Sequence, residues 1–108
     1  MAPTVIACGT QTATINTEHV LATDTTCKNY VLVVDTGNLA NGDTLELRLY
    51  TKVLSGGTER LVYLAVYVNA QGEPQKYSIP VPANISLKAT LKQTAGTGRD
   101  FPWSLLSL

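Results

Sequence analysis

The stretch Val33-Val34-Asp35-Thr36-Gly37 sets a carboxylate at the end of an apolar run, just before residues that favour a turn. A lone carboxylate does paired acid–base work only beside a second one. Two carboxylates in contact then share one proton, because two like charges cannot both ionise cheaply. Other reactive side chains are few. His19 is the sole histidine, so no histidine cluster can hold zinc, and it reads as a surface or interface residue. Cys8 and Cys27 lack Cys-x-x-Cys spacing and further ligands; they are expected as free, partly buried thiols, although a long hairpin over 8–27 would bring them face to face. Gly56-Gly57 and Gly96-Thr97-Gly98 have neither a strand-to-helix context nor the lysine of a phosphate loop, and read as turns. Asn84-Ile85-Ser86 is formally a glycosylation sequon. No cofactor or metal set is expected, and the chain reads as non-enzymatic.

The Asp35 stretch resembles the apolar-apolar-Asp-Thr-Gly signature of aspartic proteases, and the length of 108 residues suits the retroviral kind, which dimerises to unite two aspartates. Gly98-Arg99 compares with the Gly-Arg that follows an apolar pair in that family, but Gly96 and Thr97 stand in the place of that pair. The alternative is that Asp35-Thr36-Gly37-Asn38 ends a strand, since Asp, Gly and Asn each favour turns for separate physical reasons.

These residues need a scaffold, and composition bounds it. A chain of 108 residues makes one domain, 1–108, that buries roughly two thirds of its unfolded surface. Its 44% hydrophobic content and formal net charge of +0 speak against disorder and against attraction to phosphate, so no nucleic acid partner is expected. The first residues, Met1 to Ala7, carry no positive segment and no long apolar run, and no window approaches the ~20 apolar residues of a membrane span. A protein without a signal peptide or membrane association is expected.

Fifteen threonines push the chain toward strand, because β-branched side chains suit a pleated surface. Alternation is clearest in Asp43 to Val53, where Leu45, Leu47 and Leu49 face one way and Glu46, Arg48 and Lys52 the other. It returns in Ile85 to Gln93, with Ile85, Leu87, Ala89 and Leu91 toward a core. Tyr30 to Val34 and Leu61 to Val68 are apolar on both faces, as in central strands or strands covered by a partner. Prolines 80 and 82 assign 77–82 to an edge or loop. Strands are predicted at 4–7, 11–16, 19–24, 29–35, 44–54, 60–69, 76–82, 85–94 and 101–107. Turn signals at 37–43, 55–58, 69–74 and 95–98 are expected to be hairpin connections. This is the pattern of an all-β, antiparallel β-sandwich or jelly-roll-like single domain, with 1–28 either an N-terminal arm or an extra hairpin.

The C-terminal Phe101-Pro102-Trp103-Ser104-Leu105-Leu106-Ser107-Leu108 puts apolar groups on both faces of its strand, and a lone domain covers only one. Phe101, Trp103, Leu105, Leu106 and Leu108 are therefore candidate interface residues, together with Tyr63 and Tyr67, which share one face of their strand.

Two stretches, Asp35 to Arg48 and Gln93-Thr94-Ala95-Gly96-Thr97-Gly98-Arg99-Asp100-Phe101-Pro102-Trp103, resemble small virion proteins of tailed bacteriophages, of the kind that decorate or cement the capsid. The resemblance covers the last two thirds of the chain. It implies a structural role on the outer surface of a phage head, clamping neighbouring capsomers, with the major capsid protein as partner. It also implies a homo-oligomer, a trimer ahead of a dimer, made in the host cytoplasm and ending on the virion. A different reading is a β-sandwich module that binds carbohydrate or a host surface, with Tyr30, Tyr50, Tyr63, Tyr67 or Trp103 as stacking platforms.

Overall fold

The computed structural model describes residues 3–108. Nine strands follow in order: β1 (Thr4–Thr12), β2 (Glu18–Asp24), β3 (Asn29–Asp35), β4 (Thr44–Thr51), β5 (Arg60–Val68), β6 (Gln75–Tyr77), β7 (Val81–Pro82), β8 (Leu87–Ala95) and β9 (Asp100–Ser107). They make two antiparallel sheets packed as a sandwich. Sheet A has the order β1-β9-β3-β6, with β7 also paired to β3; sheet B has the order β2-β8-β4-β5.

The period-two pattern builds the core. Leu45, Leu47 and Leu49 of β4 and Leu87, Ala89 and Leu91 of β8 meet Tyr30, Leu32 and Val34 of β3 and Phe101 and Leu105 of β9 in one apolar cluster. Each leucine so buried contributes about 2 kcal/mol relative to leaving it in water. Ile85, expected in this row, stands ahead of β8 and is half-buried.

The predicted connections differ from those formed. Only 55–58 closes a hairpin, between β4 and β5. The turns at 37–43, 69–74 and 96–98 carry the chain from one sheet to the other, so β8 and β9 are not hairpin partners. Turn residues reverse a chain by local backbone preference, which is blind to the sheet that receives the next strand. The segments 4–7 and 11–16 merge into β1, whereas 76–82 divides into β6 and β7 around Ser78, Ile79 and Pro80. Within 1–28, the described residues supply an edge strand to each sheet, β1 to A and β2 to B, rather than an arm or a hairpin; Met1 and Ala2 lie outside the described residues.

Candidate interface surfaces

β9 is a central strand, held between β1 and β3, and its two faces part company. Phe101 and Leu105 are wholly enclosed in the core, so these two interface candidates lie inside the domain. Trp103 is half-buried against that core, its ring lying along Gly9, its register partner on β1. Leu106 points the other way. It stands level with Val5 of β1 and Val31 of β3, and Val5 is 57% exposed. One register step along, Cys8, Ser104, Val33 and Tyr77 form a second row across β1, β9, β3 and β6. Ser78 N donates to Leu32 O at 2.8 Å just past the paired residues of β6, and Ile79 follows in the short segment that joins β6 to β7 alongside β3. Tyr77 and Ile79 are exposed, as is Leu108 just past the strand. An apolar band therefore crosses the outer face of sheet A. Beside it is a shallow depression of about 220 Å³ lined by Val33, Asp35, Gln75, Pro102, Trp103 and Ser104.

The second apolar surface is β5, one of the two edges of sheet B. Its register with β4 sets Tyr63 opposite Leu49 and Tyr67 opposite Leu45, so both tyrosines face inward and are half-buried against the core. Burial, then the neighbouring Tyr63 hydroxyl, pushes the Tyr67 hydroxyl up to about 12, and Lys76 Nζ sits 5.1 Å from the Tyr67 ring centroid. The face left open is the aliphatic one: Leu61, Val62, Leu64, Val66 and Val68, each between 41% and 53% exposed.

The remaining platforms for stacking are engaged. Tyr30 is enclosed and donates to Asp24. Tyr50 donates to Glu18 at 2.6 Å and carries Lys88 Nζ 4.6 Å above its ring. Around them the outer face of sheet B is a charged lattice. Glu18 also accepts from Thr90 at 2.7 Å, Arg48 pairs with Glu46 at 2.6 Å, and Lys88 pairs with Glu59 at 2.9 Å.

The reactive residues singled out in the sequence are scattered. Asp35 Oδ1 accepts from Gly37 N at 2.8 Å and so shapes the turn that ends β3. His19 Nε2 accepts from Thr14 N at 3.0 Å, closing the β1–β2 connection. Cys8 and Cys27 are free but exposed rather than partly buried, and they are not bonded to each other: Cys8 lies on the outer face of sheet A, and Cys27 sits in the β2–β3 loop with its Sγ donating to Asn84 O. Among the described residues no group of three or more His, Cys, Asp and Glu is placed to hold a metal ion, and no helix is long and apolar enough to cross a membrane.

One polar centre was not legible. Asp43, at the end of the turn 37–43, is 1% exposed. Burial raises its carboxyl, but donation from Ala40 N, Arg99 and Thr97 N, with the charge of Arg99, outweighs that and holds it below its ordinary value. Beside it, fully enclosed Gln93 donates from Nε2 to Ala95 O and Thr97 O, and its Oε1 accepts from Arg99 N at 3.1 Å. These bonds fix the sheet-changing turn ahead of β9. Val5, Tyr77 and Ile79 were also missed as surface residues, because nothing in a single strand tells which neighbours extend its outer row. The chain matches no protein-family model, no curated protein and no solved structure.

Proposed function

We propose that this chain is a structural virion protein that decorates the outer surface of a phage head, binding the major capsid protein and stabilising contacts between capsomers. The observation that carries this reading is the apolar band on the outer face of sheet A, where exposed Val5, Tyr77 and Ile79 surround half-buried Leu106 and Val33 and an enclosed Val31. Contiguous apolar surface of this kind marks a contact with another macromolecule. The choice of the major capsid protein as partner rests on the sequence resemblance of 35–48 and 93–103 to capsid decoration proteins. Such a protein works by burying surface, and the polar clusters of this chain fit that economy: Asp43, Gln93 and Asp24 are occupied in holding turns and strands together.

The test is co-sedimentation with capsids assembled without the protein. The unaltered chain should pellet with them, and the double variant Val5→Lys, Ile79→Lys should lose at least about tenfold in affinity, equivalent to roughly 1.4 kcal/mol. Both positions are more than half exposed, so the fold should survive. An unaltered chain that stays in the supernatant would remove the capsid reading, and unchanged binding by the variant would remove sheet A as the contact.

A further inference from the structure

The sandwich has free strand edges, and most of them carry features that resist pairing. β1 is bulged between Val5 and Ala7. β2 is bulged between Val20 and Ala22 and has Glu18 and Asp24 at its ends. β6 and β7 are three and two residues long, with Pro80 between them. Bulges, charges, prolines and short length are the means by which proteins keep edges from pairing. β5 is different: nine residues long, with neither charge nor proline from Leu61 to Val68 and its single bulge at Val62, near one end.

We propose that β5 pairs edge to edge with β5 of a second copy, antiparallel about a two-fold axis at Ala65, joining two four-stranded sheets into one of eight strands. Opposed residues in such a pairing must share a face, which fixes the register to alternate positions. Centring on Ala65 sets Leu64 against Val66 and Val62 against Val68 on the outer face, and Tyr63 against Tyr67 on the inner. Aliphatic and aromatic cross-strand pairs of this sort stabilise sheets. Arg60 falls beyond the paired stretch and each copy has a formal net charge of +0; the charge bordering the inner row is Lys76, whose Nζ is held 5.1 Å from the Tyr67 ring centroid.

The dimensions also suit a second copy. Nine residues span about 30 Å, and the molecule is 19 Å across its thinnest axis. Paired along its length, that edge exceeds the ~17–20 Å of an ordinary strand, long enough to seat a second β5. Because a strand has one free edge, self-pairing closes at two copies, a dimer rather than the trimer expected from the sequence. The pairing leaves the outer face of sheet A free, so it deepens the capsid reading without depending on it.

Light scattering coupled to gel filtration tests the proposal, from low to high micromolar concentration. The unaltered chain should approach twice the 11.6 kDa of one copy. Val66→Lys, a change at an exposed position, should return the mass to that of one chain with unaltered circular dichroism. Ala65→Cys, in a background with Cys8 and Cys27 changed to Ser, should cross-link to a dimer under diamide, because the axis brings that residue against itself. A single-chain mass at every concentration, a trimer, or a dimer that persists in Val66→Lys would each overturn the proposal. A dimer in which Ala65→Cys does not cross-link would overturn this register. Capsid binding retained by monomeric Val66→Lys would show the two surfaces to be separate, so failure of either claim is read independently of the other.

Discussion

Arg99 donates from Nε to the Asp43 carboxylate at 2.9 Å, across 56 positions of sequence, and Asp43 in turn accepts from Ala40 N at 2.9 Å and Thr97 N at 3.2 Å. Asp43 O also accepts from Asn69 N at 2.9 Å. One buried residue thereby ties together all three glycine-bearing connections that cross between the sheets in the latter part of the chain.

Replacing Asp43 with Asn should cost about 2 kcal/mol at neutral pH, the scale of hydrogen bonds to a charged group, and urea unfolding would measure it. The cost should itself depend on pH. The folded carboxyl titrates below its ordinary value of 3.8, so the unfolded chain takes up the proton first. Its stabilisation is complete above that ordinary value and is lost as pH falls through the folded one. The gap between the unaltered chain and Asp43→Asn should therefore narrow on acidification to about pH 3. A constant gap would mean the carboxylate charge contributes nothing.

Gly96 and Gly98 are required by what surrounds them. A Cβ on Gly96 would stand 1.9 Å from Asp43 Oδ1, and its φ of +90° is one that other residues rarely adopt. A Cβ on Gly98 would stand 2.3 Å from the Ala13 carbonyl oxygen. Each change to Ala should lower stability by roughly 3 kcal/mol, by overpacking at both sites and backbone strain at the first. Gly72→Ala, into open space, should stay within about 0.5 kcal/mol. Thermal denaturation of the three variants would reveal the contrast.

Much of this fold could be read in the chain, and the parts that could not share a cause. Alternation in 44–51 and 87–95 is a local property, and the leucines it selected are in the core. The partners of a turn are not local. Asp43 beside Gly42 looks like any turn residue until Arg99 arrives from the far end of the chain. Tyr63 and Tyr67 share the difficulty: β5 is apolar on both faces, and only its register with β4 turns the rings inward and leaves the valines open.

Tyrosine ionisation should report that inward turn. Of the five tyrosines, Tyr67 is pushed up to about 12, and Tyr30 is raised by burial and by its bond to Asp24. Alkaline titration followed by tyrosinate absorbance should show a late component that shrinks in Tyr67→Phe. Since folding favours the protonated hydroxyls, their contribution to stability is whole below the ordinary value of 10.0 and declines as pH rises through the folded values. Simultaneous titration of all five near the ordinary value would contradict the packing of β5.

Leu105 and Leu106 are adjacent, yet their fates should separate cleanly. Leu105 is enclosed between the sheets, opposite Leu32 and Ala7. Its replacement by Ala should cost about 3 kcal/mol, the transfer of a buried leucine together with the cavity left behind. Leu106 lies on the outer row between Val5 and Val31, so Leu106→Ser should cost less than about 1 kcal/mol while weakening whatever docks on sheet A. Truncation after Arg99 should abolish folding altogether, because β9 pairs on both sides and its loss strands β1 and exposes the core residues of β3. Circular dichroism and melting temperature on the three variants would rank them. A folded truncation product would mean that sheet A can close without its central strand, which the pairing of β1 solely through β9 forbids.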